Sequence, residues 1–368
     1  MVGSVDNFQK IIGHKEIITF LKKLKNMPFI HSLIFYGKKG IGKRTLALVF
    51  AQYLACLNKE KAPCGECPHC RMIGDLEYPY LEIIFPGWEN VKTIKEEEKY
   101  ESLLDLRSQH RLFEMRPETS KKESITIDVI REIKERIKMK ADEYRIYLII
   151  DAERMTQEAA NAFLKTLEEP PERVFFILTT SQIHKLPATI RSRCYLLKFS
   201  SLEPKAIEEF LVKKGWPLDT AKKASAFSFG SLRTALQLIN RGEKIFPEEV
   251  IKFAEIRKRE VGYYFFRNFY EKYSETDYDT IVSFIKDLIF LYRGLLYQKL
   301  GYINLFEIDP HLKVIAERKT YEEIIISLYK LNQLYEECEY NLNKKLILFH
   351  LYSSLTDEKS FTYQSLDI

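Results

Sequence analysis

A glycine-rich stretch at residues 37–44 constrains this chain more than any other part of its sequence. It fits the phosphate-binding pattern Gly-x4-Gly-Lys-Ser/Thr at every defined position except the last, which Arg44 occupies. Small residues let backbone N–H groups close around phosphate oxygens, and Lys43 would reach the terminal phosphates. The small residues of the stretch are Gly37, Gly40 and Gly42. The pattern therefore predicts a loop that binds the phosphates of a nucleotide.

The segments on either side of this loop support the prediction. Residues 31–36 (His-Ser-Leu-Ile-Phe-Tyr) are typical of a buried strand, and residues 45–56 carry apolar side chains at helical spacing. A strand, a glycine loop and a helix form the context that confirms this motif. The hydroxyl that would hold Mg²⁺ is missing, however, because Thr45 comes one residue late. One helical residue rotates a side chain by about 100°, so Thr45 cannot replace it, and hydrolysis of a bound ATP/Mg²⁺ is not expected.

Length and charge indicate a globular protein of about two or three domains. The chain has 368 residues, a net charge of +5 and 30% charged residues. Such a mildly basic balance permits contact with nucleic acid but does not require it. The sequence contains no run of 18 apolar residues, and its first ten residues lack the apolar core of a signal peptide. We therefore expect a cytoplasmic protein with no membrane partner.

Four of the six cysteines fall within 15 residues, with the spacing Cys-x7-Cys-x2-Cys-x2-Cys. In a cytosolic chain, this clustering favours a metal over disulfides. Four thiolates can surround a structural Zn²⁺ tetrahedrally, and such a closed set leaves no position for catalysis. The Cys-x2-Cys-x2-Cys run also resembles part of an iron–sulfur motif, which stays as an alternative. The predicted ligands are Cys56, Cys64, Cys67 and Cys70. Cys194 and Cys338 stand alone, as small buried hydrophobic residues often do.

A second acidic element follows an apolar run at residues 145–150 (Arg-Ile-Tyr-Leu-Ile-Ile). Asp151 at its end would lie beside Mg²⁺ at the phosphate loop, as P-loop NTPases require. Hydrolysing members carry a glutamate immediately afterwards, where this chain has Ala152. Glu153 is one residue late, and a shift of one residue at a strand sends a side chain to the opposite face. Two catalytic positions are thus lost, which argues against an active ATPase.

Three longer stretches carry a resemblance to a known family. They are residues 151–155 (Asp-Ala-Glu-Arg-Met), 159–171 (Ala-Ala-Asn-Ala-Phe-Leu-Lys-Thr-Leu-Glu-Glu-Pro-Pro) and 186–194 (Leu-Pro-Ala-Thr-Ile-Arg-Ser-Arg-Cys). Together they resemble the bacterial clamp-loader subunits of DNA polymerase III, whose signature is Ser-Arg-Cys. A cysteine cluster after the first helix is a further trait of that family, and the resemblance covers about residues 8–240.

The resemblance implies a fold and a domain plan. We expect an α/β AAA+ P-loop module, with a parallel sheet and flanking helices, over residues 1–200. A zinc module at about 56–70 and a charged insertion at about 86–124 would interrupt it. A small helical lid domain is expected at 201–245, followed by an all-α collar domain at 246–368 that joins subunits in a ring.

The resemblance also assigns roles to single residues. Arg193 would act as an arginine finger that touches ATP held by a neighbouring subunit, although a surface arginine with no such role is the plainer interpretation. Thr180 would be the sensor-1 residue and Arg233 the sensor-2 residue of the lid. With Lys43, Arg233 leaves room for residual nucleotide binding in a degenerate site.

The family divides into ATP-hydrolysing gamma/tau subunits and the delta prime subunit. Arg44 and Ala152 depart from the gamma/tau pattern, and so the sequence is similar to the delta prime branch. That branch implies a non-motor subunit of the DNA-directed DNA polymerase III holoenzyme, a nucleotidyltransferase. Its expected partners are gamma/tau and delta subunits in a five-subunit ring, the sliding clamp and primer-template DNA. An active gamma/tau-type ATPase is the main alternative, and an unrelated P-loop switch or kinase is the third.

Overall fold

Five parallel strands form a sheet in the order β2-β3-β4-β1-β5. The strands are β1 (Ser32–Tyr36), β2 (Leu81–Ile84), β3 (Arg145–Ile149), β4 (Val174–Thr180) and β5 (Tyr195–Lys198). The computed structural model describes residues 7–24, 29–87, 123–138, 142–240, 246–255, 267–268, 270–273, 275–301, 311–338 and 343–356. The chain divides into two compact units, residues 1–239 and residues 240–368. The parallel sheet with flanking helices that the sequence predicts is confirmed.

Helices cover both faces of the sheet, because every central strand is apolar on both faces. Six helices lie between or beside the strands: α1 (Lys15–Leu24), α2 (Lys43–Ala55), α3 (Pro68–Gly74), α4 (Ile127–Ile137), α5 (Gln157–Glu168) and α6 (Ala188–Arg191). Alternate residues of β1 enter different cores. Leu33 and Phe35 join the core that holds α1 and α2, whereas Ile34 joins the core that holds α4 and α5. Two apolar layers therefore fix the sheet between its helices.

The strand register brings the predicted site residues to one edge of the sheet. Tyr36, the last residue of β1, is opposite Thr180, the last residue of β4. Ile149 at the end of β3 is opposite Leu178 of β4. The glycine loop follows β1 directly, and Asp151 is the second residue after β3. Because ligands of open parallel sheets bind at the carboxyl ends of the strands, this edge is where a site is expected.

Three short helices complete the first unit, namely α7 (Pro204–Lys213), α8 (Leu218–Phe227) and α9 (Leu232–Asn240). They fall within the predicted lid, whose boundaries stay a prediction. Three single-turn 3₁₀ segments also occur, at Asn7–Lys10, Ala152–Arg154 and Ile183–Lys185. Most of the predicted insertion at 86–124 lies outside the described residues. Its ends come together, since the Gly87 N–H donates to the Ser124 carbonyl oxygen at 3.1 Å.

The described part of the second unit is helical. Its elements are α10 (Glu248–Glu255), α11 (Tyr278–Lys299), α12 (His311–Arg318), α13 (Tyr321–Glu337) and α14 (Lys344–Thr356). The long helix α11 packs against α13, and Tyr292 and Leu331 are fully buried. A capping box starts α13, where Thr320 and Glu323 bond each other's backbone N–H groups. Within the described ranges, no helix has the length and apolarity needed to cross a bilayer.

Candidate functional site

The glycine loop links β1 to α2 in a conformation that glycine alone adopts easily. Gly40 has φ +77°, and a Cβ atom there would lie 2.3 Å from Ser231 Oγ. Gly42 precedes α2 with φ +99°. Both φ values lie in the left-handed region, where a side chain is strained. The loop therefore needs glycine at Gly42 for its backbone and at Gly40 for both its backbone and its contact with the start of α9.

Lys43 is buried and turns its ammonium group into the loop. Its Nζ donates to the carbonyl oxygens of Gly37 and Lys38, each at 2.6 Å. Burial, followed by the positive charge of Arg44, lowers the pKa of Lys43 to about 8, against smaller opposing effects of Asp151 and Glu153. The ammonium thus stays mostly charged at neutral pH and stabilises the closed shape of the loop.

Arg44 forms an ion pair with Asp151 across the carboxyl edge of the sheet. Arg44 Nη2 lies 2.8 Å from each carboxylate oxygen of Asp151, and the two side chains are only 17% and 23% exposed. Burial alone would raise the pKa of Asp151, but the charge and hydrogen bond of Arg44, together with the charges of Lys39 and Arg154, lower that pKa. Asp151 has φ 51° and ψ 51°, so its backbone is also left-handed. Thr45, in contrast, is exposed on α2.

These residues do not fit a bound Mg²⁺. The ion needs near-octahedral oxygen ligands, and a phosphate loop normally supplies a hydroxyl and a carboxylate. Here the hydroxyl position carries the Arg44 guanidinium, which has donors only. The same guanidinium contacts both oxygens of Asp151. Of the predicted nucleotide-site residues, Arg44 and Asp151 therefore come together as an ion pair rather than as a metal site.

The structure adds an acidic contact that the sequence patterns do not predict. Glu153 Oε1 accepts hydrogen bonds from the Ser181 backbone N–H at 3.1 Å and from the Ser181 hydroxyl at 2.9 Å. Glu153 lies on the 3₁₀ turn after Asp151, and Ser181 directly follows β4. The chain positions are 28 residues apart, so only the adjacency of β3 and β4 could have indicated the contact.

Thr180 and Arg233 flank the loop in different ways. Thr180 is fully buried, its Oγ1 accepts from the Gln182 backbone N–H at 3.0 Å, and its carbonyl oxygen accepts from the Gly37 N–H at 3.3 Å. The Arg233 backbone N–H donates to the Gly40 carbonyl oxygen at 3.2 Å. Their sensor roles stay predictions, although both residues contact the loop.

His14 is a further loop contact that the sequence analysis missed. Its Nε2 lies 2.8 Å from the Ile41 carbonyl oxygen, and its ring packs against Phe199 at 4.7 Å between centroids. Burial lowers the pKa of His14, which favours the neutral ring as a donor to that carbonyl. The N-terminal segment thus supports the loop from the side of β5.

Arg193 lies at the surface just after α6, where an acidic residue holds it. Its Nε donates to Glu168 Oε1 at 2.6 Å, and its Nη2 contacts the same oxygen. Its Nη1 donates to the Thr189 carbonyl oxygen at 2.8 Å. Glu168 ends α5, whose start is capped by the Thr156 hydroxyl. The guanidinium is therefore oriented by its own chain, with 29% of its side chain exposed.

The cysteine cluster lies at the end of α2. Its four Sγ atoms, from Cys56, Cys64, Cys67 and Cys70, lie within 4.8 Å of one another. Tetrahedral Zn²⁺ with Zn–S bonds of about 2.3 Å requires sulfur atoms about 3.8 Å apart. The Cys64 and Cys70 sulfurs are 4.0 Å apart, so the set fits, and these residues would hold Zn²⁺ as a structural crosslink.

Backbone N–H groups donate hydrogen bonds to sulfur atoms of the cluster, whereas burial raises the pKa of Cys56 and of Cys70. The Cys67 N–H donates to Cys64 Sγ at 3.3 Å, and the Cys70 N–H donates to Cys67 Sγ at 3.4 Å. Burial would raise the pKa of Cys67, but backbone hydrogen bonds, chiefly from Cys70, lower it to about 6. The buried Gln52 side chain of α2 donates to the Cys70 carbonyl oxygen at 2.7 Å. Hydrogen bonds to sulfur favour the charged form that metals bind.

The other two cysteines lie apart from this cluster. Cys194 packs at the edge of the core between the sheet and α5, and burial raises its pKa to about 12. Cys338 is buried at the end of α13. Neither position suggests a reactive thiol.

The cluster should bind one Zn²⁺ per chain, and Cys67→Ser should lose it and loosen the segment around α3, because metal binding contributes folding energy. Inductively coupled plasma mass spectrometry with a thiol count measures this. Cys194→Ser, which lies outside the cluster, should keep its zinc. An iron chromophore, or a native metal-free protein with intact thiols, would contradict the assignment.

Removing the Arg44–Asp151 ion pair should destabilise the first unit. Arg44→Ala leaves a mostly buried carboxylate without its charged donor, and we expect a loss of about 1–3 kcal/mol. Arg131→Ala is the matched control, because Arg131 contacts Asp128 at the same 2.8 Å but both side chains are about two-thirds exposed. The control should lose less than about 1 kcal/mol. Urea unfolding at neutral pH measures both values, and equal losses would refute the prediction.

The same pair predicts a pH dependence. The folded pKa of Asp151 lies below its unfolded value of about 3.9, so the stabilisation is complete above that pH and is lost as pH falls through the folded pKa. The difference in unfolding free energy between wild type and Asp151→Asn should therefore shrink below about pH 4. Denaturant curves for the two proteins across this range provide the measurement, and a constant difference would count against the pair.

Comparison with known proteins places these features in one family. A family model described as DNA polymerase III, delta subunit, matches residues 13–203, which is more than half of the chain. The matched span includes the glycine loop, the cysteine cluster and Arg193.

Individual relatives differ in how much of their own length they share with this chain. DNA polymerase III subunit delta' of Bacillus subtilis is 28% identical over 87% of this chain and 89% of the relative. Subunit gamma of Buchnera aphidicola subsp. Acyrthosiphon pisum is 32% identical over 63% of this chain, and subunit tau/gamma of Haemophilus influenzae is 28% identical over 64%. The chain spans only 57% and 30% of the length of those two relatives. Among solved structures, a gamma subunit-related protein from Thermotoga maritima has a TM-score of 0.42 at 21% identity, covering 91% of this chain and 97% of that one.

Proposed function

This chain belongs to the clamp-loader family of DNA polymerase III subunits, and we propose that within it the chain is a delta prime-type subunit without motor activity. In this role it supports ATP-dependent loading of the sliding clamp onto primed DNA. It assembles with gamma/tau and delta subunits in a five-subunit ring, and primer-template DNA and the clamp are its further partners. Its own phosphate loop does not hydrolyse ATP.

The observation that carries this proposal is the Arg44–Asp151 ion pair. Hydrolysis by this class of site needs a hydroxyl and a carboxylate on Mg²⁺, and a further group that orients the attacking water. Arg44 replaces the hydroxyl and engages the carboxylate, as the 2.8 Å contacts show. The residue after Asp151 is the buried Ala152, which has no polar group. The nearest acidic alternative, Glu153, is hydrogen-bonded to Ser181.

Similarity to the Bacillus subtilis delta' subunit supports the same conclusion. That relative matches 87% of this chain and 89% of its own length, so the likeness extends past the family-model region into the second unit. The described part of that unit is helical, which agrees with a collar through which ring subunits would associate.

Arg193 is the group through which this subunit would act on a neighbour. A guanidinium that reaches the γ-phosphate offsets the charge that spreads onto it in the transition state. The surface location of Arg193 suits an action on another subunit. Its bonds to Glu168 and Thr189 hold the planar fork in one orientation, which reduces the entropy lost on engaging a phosphate.

The purified chain should show no ATPase activity above background. Arg44 stands where hydrolysis needs a hydroxyl on Mg²⁺, and Ala152 stands where it needs a carboxylate that orients the attacking water, so both motif positions lack the required group. A coupled phosphate-release assay with ATP and Mg²⁺ measures this. Turnover that Lys43→Ala abolishes would instead favour the gamma/tau-type ATPase.

Arg193→Ala should leave the ring assembled but lower its ATPase activity when clamp and primed DNA are present. Arginine fingers contribute roughly 10³–10⁵-fold to kcat at a single site, and the overall loss should be smaller because other sites in the ring keep their own fingers. Arg193→Lys should not rescue the activity, since one ammonium cannot replace the fork of donors. Size-exclusion chromatography and a stimulated ATPase assay on the reconstituted loader measure the two properties.

A matched control for that experiment is Lys185→Ala. Lys185 is an exposed basic residue on the 3₁₀ turn before α6, eight residues before Arg193 in the chain. Lys185→Ala therefore removes a surface charge from the same segment and keeps the guanidinium of Arg193. Full ATPase activity of an assembled Arg193→Ala ring would show that Arg193 is an ordinary surface residue.

A further inference from the structure

We infer that the Arg44–Asp151 ion pair takes the place of Mg²⁺ at this phosphate loop, so that no divalent cation binds there, with or without a nucleotide. The inference concerns the chemistry of the loop itself and does not depend on assembly with other subunits.

The first argument is the geometry of the carboxylate. In a metal-dependent phosphate loop, an oxygen of this aspartate faces the cation or one of its waters. Here one nitrogen, Arg44 Nη2, lies 2.8 Å from both Oδ1 and Oδ2 of Asp151. A guanidinium contact of this kind uses the oxygens that a cation would need. The pair is mostly buried, which limits competition from water for either partner.

The second argument is the charge around the carboxylate. Besides Arg44, the positive charges of Lys39 and Arg154 also act on Asp151. Lys43, next to Arg44 in the chain, is buried in the same loop, and its pKa is lowered by burial first and then by the charge of Arg44. A divalent ion placed at Asp151 would meet these positive groups, and the acidic Glu153, two residues further along the chain, is already hydrogen-bonded to Ser181.

The third argument is the position of the hydroxyl that remains. Thr45 follows Arg44 on α2, so its side chain is rotated by about 100° from that of Arg44. It is exposed, whereas the pair is mostly buried, and it does not supply the oxygen ligand whose position Arg44 occupies. The Ser181 hydroxyl donates to Glu153 at 2.9 Å. The loop thus lacks a hydroxyl at the position of a magnesium ligand, and the Arg44 guanidinium already contacts the carboxylate of Asp151.

Electron paramagnetic resonance of Mn²⁺, a paramagnetic substitute for Mg²⁺, tests this on the full isolated chain. Mn²⁺ is added to solutions with and without ADP, each in the presence and in the absence of protein. The buffer contains no chelator, and Zn²⁺ is supplied so that the cysteine cluster is occupied. The wild-type protein should leave the spectrum of free Mn²⁺ and of Mn²⁺–ADP unchanged. Protein-bound Mn²⁺ that Asp151→Asn removes would overturn the inference, and this comparison needs no variant of Arg44.

Arg44→Thr tests for a gain of metal binding, because it restores the hydroxyl and leaves both carboxylate oxygens of Asp151 without the guanidinium. Mn²⁺ binding in the presence of ADP should then rise by at least about tenfold, the scale on which single supporting residues change metal affinity. Arg44→Lys keeps a cation and should stay without bound Mn²⁺. Arg131→Thr, which removes an arginine from the exposed pair with Asp128, is the matched control and should behave as wild type.

A folded Arg44→Thr protein that binds no more Mn²⁺ than wild type would also overturn the inference. Circular dichroism and the melting temperature establish that the variant is folded, and Arg44→Ser offers a second route to the same hydroxyl. Neither result affects the ring experiment with Arg193, so failure here is distinguishable from failure of the proposed function.

Discussion

The ion pair between Arg44 and Asp151 is the interaction on which the candidate site depends. It joins the first turn of α2 to the second residue after β3, at the end of the sheet beside the glycine loop. Removing either charge from water is costly unless the partner is present. Two positions that supply ligands to a metal in a hydrolysing site therefore hold residues that stabilise each other here. The pKa of Asp151 is lowered despite burial, chiefly by Arg44 and further by Lys39 and Arg154.

Tight backbone packing fixes the loop around this pair. Gly40 lies so close to the start of α9 that a Cβ atom would contact Ser231 and Arg233. His14 bonds the loop at Ile41, and Lys43 bonds it from within at Gly37. Side chains and backbone of the same unit thus order the loop, which agrees with the proposal of a subunit that does not hydrolyse ATP itself.

The cysteine cluster is a separate structural element at the C-terminal end of α2. Gln52 connects that helix to Cys70, while the sulfur atoms accept bonds from neighbouring backbone N–H groups. A metal crosslink would hold the segment after α2 without any large apolar core of its own. Unlike the phosphate loop, the cluster needs no contact with distant parts of the chain, because all its ligands lie within 15 residues.

The sequence by itself determined those features that depend on local spacing. The glycine loop, the four cysteines and the apolar strands could all be predicted, because backbone conformation, metal geometry and burial impose short periodic patterns. Even the absence of a magnesium hydroxyl follows from Arg44 alone. The motif also predicts Asp151 beside the loop, but as a neighbour of Mg²⁺, and its ion pair with Arg44, 107 positions away along the chain, comes from the tertiary structure. The contacts of Glu153 with Ser181 and of Arg193 with Glu168 likewise join different elements. The order and register of the strands decide which strand ends lie side by side. Charge and hydrogen bonding then determine which of the neighbouring side chains pair.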